Sequence, residues 1–375
     1  MKRFFLPIGQ GAFYVEQFSK DSVYVYDCGT STDIKILEDE INNIFTKNQI
    51  IEGVFISHLH DDHINGLEYL LAHCNVRNVY LPYLTPTEMI LTYINCLCKQ
   101  RELSKFLKNI FEENFMNIIR INEQFKTKVN LIIPEKEMNH EIPRDHNTTS
   151  LIRSGKEINV TNILNSYNDW IYITYNFRNT TRSEIFYNLL IKEGISRNEI
   201  ENITIFEEKW KDKNFRKLLI KAYKLIDYDL NLSSLVVYSG PKNISSSLRC
   251  YVHNVNNAYL KYPNLVYGSF NHKSGCLYLG DYDASVKNMW NELINNSNIS
   301  KYLGNIGTIQ IPHHGSKYNY NHEISDFDSM FIISAGQNNK YRHPHKEVVD
   351  NIQEKKRRLF IVSEIKTSAA CFIIN

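Results

Sequence analysis

Hydrophobic and polar positions keep two rhythms along this chain, and the points where one gives way to the other predict its elements. Residues 11–16 and 22–26 alternate with the two-residue period of strands around a polar Ser19-Lys20-Asp21 turn, which predicts a hairpin closed by Asp27-Cys28-Gly29. A helix is expected from Ile34 to Phe45, then an apolar strand ending at Ile56. A second helix should run from about Asn65 to Cys74, followed by a strand around Val79–Leu81 that Pro82 stops. Residues 87–128 switch to helical spacing (Leu91, Ile94, Leu97, Leu103, Phe106, Leu107 and Ile110) and predict a helical hairpin. Strand patterns return over 129–133, 151–160 and the aromatic run 169–177, and a second charged helical stretch covers 182–226. The last third is strand-rich again, at 234–238, 276–279, 308–311, 330–334 and 359–362. Alternating strands and helices predict the α/β class. With no internal repeat, low-complexity tract or Pro/Gly-rich linker, residues 1–375 read as one domain with helical insertions at about 87–128 and 182–226.

Composition narrows this picture without changing it. The 375 residues, 43% of them apolar, can bury a sizeable core, and 43 Lys and Arg against 41 Asp and Glu leave a net charge of only +2. The chain as a whole is therefore no strong polyanion binder, although Lys213, Lys217 and Lys221 lie in its most basic stretch, 209–224, where a contact to a phosphate backbone can form. The seven cysteines are scattered, Cys96 and Cys98 being the nearest pair, and outline neither a disulfide framework nor a thiolate zinc site. The N-terminal apolar run is too short for a signal peptide, and no run reaches the ~20 residues of a membrane span. A cytoplasmic protein is expected.

The chemistry is concentrated in a few short segments. Ser57-His58-Leu59-His60-Asp61-Asp62-His63 follows the apolar run 53–56 and sets three imidazoles and a carboxylate on one loop. Those donors suit Zn²⁺, Mn²⁺ or Fe²⁺, and their alternation lets one loop serve two cations, His58 and His60 facing one way and Asp62 and His63 another. Gly280-Asp281 places a carboxylate at the end of a probable strand, where it can bridge two cations. Pro312-His313-His314-Gly315-Ser316 repeats the pattern of strand then histidines, and on an extended backbone the two rings should diverge. In the segment 339–345, His343 can donate a proton or hold a phosphoryl oxygen, while His345 reads as the start of a helix.

Taken in order, these segments resemble the metallo-β-lactamase superfamily, and within it the soluble hydrolase domain of ComEC-type competence proteins. The resemblance rests on Gly9-Gln10-Gly11, Asp27-Cys28-Gly29, the His58–His63 run, Asn231-Leu232-Ser233-Ser234, Gly280-Asp281, the 312–316 segment, and Ser334-Ala335-Gly336 leading to Asn339 and His343-Pro344. It covers residues 1–82 and 229–350. It implies an αββα sandwich of two mixed sheets flanked by helices, holding two divalent cations. By position, His58 and His60 would bind the first, Asp62 and His63 the second, with Asp281 bridging and His314, with or without His313, completing the set. Asp27 would orient a ligand imidazole, and Asn231, Ser234 and Asn339 would stand behind the ligands. A histidine usual in the superfamily is missing between Val79 and Leu235, so His313 or His146 is the candidate replacement.

The function these readings favour is a dinuclear-metal phosphodiesterase, most naturally a nuclease using a metal-activated water, with Asp62 orienting the nucleophile and His343 serving the leaving group. Nearby tyrosines and Trp170 are candidates to stack bases. The alternatives are a hydrolase of a small phosphodiester or amide, and a non-catalytic, metal-stabilised protein that binds a partner.

Overall fold

The computed structural model describes residues 1–84, 88, 91–92, 94, 125–134, 149–160, 169–177, 180–226, 234–243, 249–252 and 272–374. Nearly all of the helical hairpin expected over 87–128 lies outside the described residues, as do His146, Asn231, Cys96 and Cys98. The strands are β1 (Lys2–Phe5), β2 (Gly11–Ser19), β3 (Ser22–Thr30), β4 (Ile50–Ile51), β5 (Gly53–Phe55), β6 (Asn75–Val76), β7 (Asn78–Pro82), β8 (Lys128–Ile133) and β9 (Thr149–Arg153). They continue with β10 (Glu157–Asn159), β11 (Trp170–Asn176), β12 (Leu235–Pro241), β13 (Arg249–Val252), β14 (His272–Lys273), β15 (Gly275–Tyr278), β16 (Ile306–Gln310), β17 (Met330–Ser334), β18 (Arg358–Val362) and β19 (Ala370–Ile374). A ten-stranded sheet runs in the order β14-β13-β19-β1-β2-β3-β5-β7-β8-β9, and a seven-stranded sheet in the order β10-β11-β12-β15-β16-β17-β18. Both are mixed. The first turns parallel from β3 onward, the second from β15 onward.

The side-chain pattern of β3 explains the layering. Val23 and Val25 join an apolar cluster with Leu37 and Ile41 of helix α1 (Ile34–Ile44) and with Leu67 and Leu70 of helix α3 (Leu67–His73). Tyr24 and Tyr26 point the other way, into a core shared with Trp170, Tyr172, Val237 and Tyr278 of the seven-stranded sheet. A strand buried on both faces needs this unbroken apolar alternation. The outer face of the second sheet is covered in turn by a cluster that includes Met289, Trp290, Val348 and Ile352. The order of layers is helix, sheet, sheet, helix, the mixed α/β sandwich that the resemblance implies.

Three details differ from the sequence reading. The run 151–160 is two strands in different sheets, because Gly155, at φ +80°, turns the chain between β9 and β10. Strands β1 and β19 were not expected, since charged Lys2 and Arg3 mask the first and no turn residue frames the second. Trp170 is only 1% exposed, its indole donating to Ser239 Oγ at 2.9 Å in the inter-sheet core, so it cannot stack a base.

That core also holds charge. Arg3 Nε lies 2.5 Å from Glu16 Oε1, which also accepts from Tyr278 Oη at 2.9 Å. Glu16 Oε2 accepts from Tyr172 Oη at 2.6 Å and from Ser239 Oγ at 2.5 Å. Arg3 Nη1 in addition donates to the Ser274 carbonyl at 3.1 Å.

Helix α1 carries a buried acid, Glu40, whose carboxyl is pushed up to about 7 by burial, against the pull of Lys366 and Asn43. A folded-state value above the unfolded one means that Glu40 favours folding most below the ordinary glutamate range, and that this contribution is lost as pH rises through 7. Glu40→Gln should therefore flatten the pH dependence of stability between about pH 4.5 and 7, a difference of about 3 kcal/mol across the window. Urea unfolding of both proteins at pH 4.5, 6 and 8 checks this, and parallel curves would refute it.

The helices between β11 and β12 are α4 (Thr180–Lys192), α5 (Arg197–Glu201), α6 (Ile203–Trp210) and α7 (Lys213–Ile226). They form their own apolar cluster, in which Phe215, Leu219 and Tyr223 of α7 meet Phe186 and Leu190 of α4, together with Leu91 and Ile94. Lys213, Lys217 and Lys221 lie on the exposed face of α7, and Lys221 Nζ is 4.0 Å from Glu193 Oε1. No helix among the described residues is long and apolar enough to cross a membrane.

Candidate metal centre

The site begins with a bulge. Phe13 pairs with Cys28 and Tyr14 with Tyr26, so Asp27 is the extra residue of β3, with φ +56°. A bulge re-aims a side chain that would otherwise alternate with its neighbours. Here it turns the buried Asp27 carboxylate toward the loop after β5. Oδ1 accepts from Ser57 N at 2.6 Å, and Oδ2 meets Ser57 Oγ at 2.8 Å and His63 Nδ1 at 2.7 Å. Gly29 completes the seat, because a Cβ there would stand 2.4 Å from His63 N and 2.5 Å from Asp61 O. Only glycine lets the short helix α2 (Asp61–Ile64) lie on the strand.

Opposite this loop, Gly280 at φ +56° bends the chain after β15, and a Cβ there would meet Ser234 Oγ at 2.4 Å. Ser234 Oγ accepts from Asp281 N at 3.0 Å, and Gln310 Oε1 accepts from Leu279 N and Gly280 N at 2.8 and 2.7 Å. The turn that carries Asp281 is thus held from two sides. His313 and His314 are not extended as expected. Both are left-handed, with φ of +48° and +54°, and His313 N donates to the Gly280 carbonyl at 2.9 Å. This fold of the backbone costs about 1 kcal/mol or more per residue. It also changes the geometry: the rings do not diverge but reach the two oxygens of one carboxylate.

Asp281 is the hub. Its Oδ2 lies 3.5 Å from His58 Nε2 and 3.7 Å from His313 Nε2, and its Oδ1 lies 3.2 Å from His63 Nε2 and 3.9 Å from His314 Nε2. Asp62 Oδ2 is 3.4 Å from His314 Nε2. Ligand atoms of His58, His63 and Asp281 all lie within 4.8 Å of one another, and so do those of Asp62, His63 and His314. Every one of these imidazoles is anchored through Nδ1: His58 by Ser57 Oγ at 2.9 Å, His63 by Asp27, His313 by Asn319 Oδ1 at 2.7 Å, and His314 by the Ser334 carbonyl at 2.8 Å. The Nε2 atoms of His58, His63 and His314 are buried and make no hydrogen bond. Nitrogens desolvated without compensation are expensive, and rings tethered at one nitrogen with the other turned inward are how metal-binding histidines are held.

The charges are set by this geometry, and against their burial the neighbouring carboxylates hold His63 well above the usual histidine range and raise His314. Burial and the neighbouring His63 hold His58 well below the usual histidine range, so its lone pair is available. Burial would raise Asp281, yet His313, His63 and His58 outweigh it and hold the carboxyl well below the usual range. Burial acts likewise on Asp62 and is overcome by His314 and His63. Asp27 goes the other way, its burial outweighing His63 and Ser57.

Other expected residues are distributed around this cluster. The His60 ring packs beside His58, with centroids 4.5 Å apart, but belongs to neither three-residue group. The His343 ring is 5.5 Å from that of His313 and 6.3 Å from that of His314, and it is pushed down to about 3 by burial and by both neighbours. Asn339 ties the His343 turn, donating to the Gly336 and His343 carbonyls, both at 2.6 Å, and accepting from His343 N at 2.9 Å. Two further helices are α8 (Lys287–Asn291) and α9 (Lys346–Glu354), and His345 occupies the N-terminal cap position of α9 without a side-chain capping hydrogen bond. The lysines of α7 contribute nothing to the ligand groups. Sequence reading missed Gln310 and Asn319, polar residues inside or after a strand with no motif to flag them. Two tyrosines near these histidines are exposed: Tyr341, 45% exposed and stacked on His343 at 5.6 Å, and Tyr318, 66% exposed, with Lys340 and Lys317 over their rings at 5.0 and 5.6 Å.

Parts of the chain are similar to known proteins. Residues 7–87 match the model of the metallo-β-lactamase superfamily. Ribonuclease J of Mycoplasma pneumoniae is 28% identical over 146 residues, 36% of this chain and 22% of that protein. Ribonuclease Z of Enterococcus faecalis is 42% identical over 53 residues, 14% of this chain and 15% of that protein. The chain thus spans less than a quarter of the length of these relatives. Among solved structures, the short form of human tRNase Z aligns over 96% of this chain and 92% of its own at 10% identity, with a TM-score of 0.36. The matched stretch carries Asp27, Gly29 and the whole His58–His63 loop, so the similarity to the metallo-β-lactamase superfamily falls on the segment that supplies the first candidate ligands.

Proposed function

We propose that the protein is a two-cation phosphodiesterase acting on single-stranded or flexible nucleic acid, related to the hydrolase domain of ComEC-type proteins. The observation that carries this reading is the convergence of four Nδ1-anchored imidazoles on the two oxygens of Asp281. His58 and His313 face one oxygen and His63 and His314 the other, so His313 takes the place of the missing histidine, and Asp62 completes the second group. The similarity to ribonucleases J and Z supports a phosphodiester substrate.

Bound there, two divalent cations, Zn²⁺ first and Mn²⁺ or Fe²⁺ otherwise, would neutralise phosphoryl charge and lower the pKa of a water. The chain's own groups do the rest. Asp62, ionised and only partly buried, orients the attacking water, whose proton passes to solvent. The water oxygen bonds to phosphorus as the bond to the leaving alkoxide breaks in line. His343, held neutral, hydrogen-bonds the leaving oxygen, which takes its proton from solvent. Tyr318 and Tyr341, each beside a lysine, offer stacking faces at the rim.

Elemental analysis should find about two divalent ions per chain. The wild type should cleave bis-p-nitrophenyl phosphate and a labelled single-stranded oligonucleotide, and Asp62→Ala should cleave neither. Two bound ions with no cleavage of either ester would sink the proposal.

A further inference from the structure

A cavity of about 660 Å³ opens beside the histidine cluster, between the His343-Pro344 turn and the end of the edge strand β18. His343 and Pro344 line it, as do Ile361 and Ile365, which are 43% and 42% exposed. Pro344, Ile361 and Ile365 give the cavity an apolar part, beside the polar Ser363, Thr367 and Ser368. The lining turn 363–368 is tied within itself, Ser368 Oγ accepting from Ser363 N at 2.9 Å and donating to the Ile365 carbonyl at 2.6 Å. Among the described residues, His343 alone of the lining side chains is ionisable.

That uncharged lining decides what can enter. A phosphate or carboxylate would find no cation among the lining side chains. A flat, neutral group would exchange water for contact with Ile361, Ile365 and Pro344, and Gln337, exposed at the mouth, supplies an amide able to pair with its polar edge. The volume is ample for one heterocycle with its sugar. The shared wall at His343 sets such a group next to the cation-binding histidines.

We propose that this cavity is a subsite for the nucleobase adjoining the reacting phosphodiester, which rests on the phosphodiesterase reading above. Base recognition would then lie on an edge strand and a short turn, apart from the metal ligands and from the basic helix α7.

The test compares thymidine 5′-(p-nitrophenyl phosphate) with methyl p-nitrophenyl phosphate, esters that share a leaving group and differ in carrying a nucleoside or a methyl group, so a preference is assigned to the base only where variants of the cavity remove it. Wild type should favour the nucleoside ester in kcat/KM by about tenfold or more, the size of one stacked base. Ile365→Trp, which fills the slot, and Ile361→Asp, which makes it polar, should each erase most of that preference, mainly through KM. A preference unchanged in both variants, or equal losses on both esters, would overturn the subsite. Should wild type cleave neither ester, the phosphodiesterase reading fails. The subsite is then judged by calorimetric binding of thymidine, which should be present in wild type and at least fivefold weaker in Ile365→Trp, and its absence from wild type would overturn it.

Discussion

Replacing Asp281 by alanine is expected to lower kcat/KM for any phosphodiester roughly a thousandfold, about 4 kcal/mol of transition-state stabilisation. The size follows from geometry. One carboxylate faces His58 and His313 through Oδ2 and His63 and His314 through Oδ1, so its loss removes a ligand from both cation groups at once. A second readout does not depend on turnover. A ligand that binds only the folded state stabilises it by about 2.7 kcal/mol at a hundred times its dissociation constant. Added Zn²⁺ or Mn²⁺ should therefore raise the Tm of wild type and leave that of Asp281→Ala unmoved. If the variant keeps its metal and its rate, the hub assignment is wrong.

The largest effect on stability is expected far from the site. Glu16→Ala should cost about 4 kcal/mol and lower Tm by roughly 5 to 10 °C. The substitution leaves the Arg3 guanidinium in the inter-sheet core without its carboxylate, and deprives the hydroxyls of Tyr172, Tyr278 and Ser239 of their common acceptor. The double variant Arg3→Met, Glu16→Leu should recover much of the loss, since a buried ion pair is dear to break and cheap to replace as a unit. Guanidinium unfolding of the three proteins decides it. A single variant as stable as wild type would mean that Glu16 is not the keystone of this network.

How much of this was legible in the sequence depended on whether a residue's role is local. The hairpin, α1, the strand before the histidines and the α/β class follow from periodicity, which is a property of neighbours. The ligand loop is legible for the same reason, its donors being adjacent in the chain. The backbone conformation of His313 and His314 was not, because their left-handed angles are imposed by contact with Gly280 from another strand. Gln310 and Asn319 were invisible because their meaning lies in which turn or ring they reach across space. Arg3 hid β1 by the same logic, a charge in a strand looking exposed until its partner is known. Trp170 misled in the opposite direction, an aromatic read as a binding surface that the sandwich closes over.

One pairing carries a lesson about assembly. Strand β1 hydrogen-bonds along its length with β19, Lys2 opposite Ile373 and Phe5 opposite Ala370. During synthesis β1 must therefore wait for β19, more than 360 residues further on, so the ten-stranded sheet stays unfinished until the ribosome has passed residue 374. Non-local pairings of this kind slow folding and leave apolar edges open to aggregation meanwhile. A nascent chain arrested before residue 370 should be a client of chaperones, its β1 edge still open.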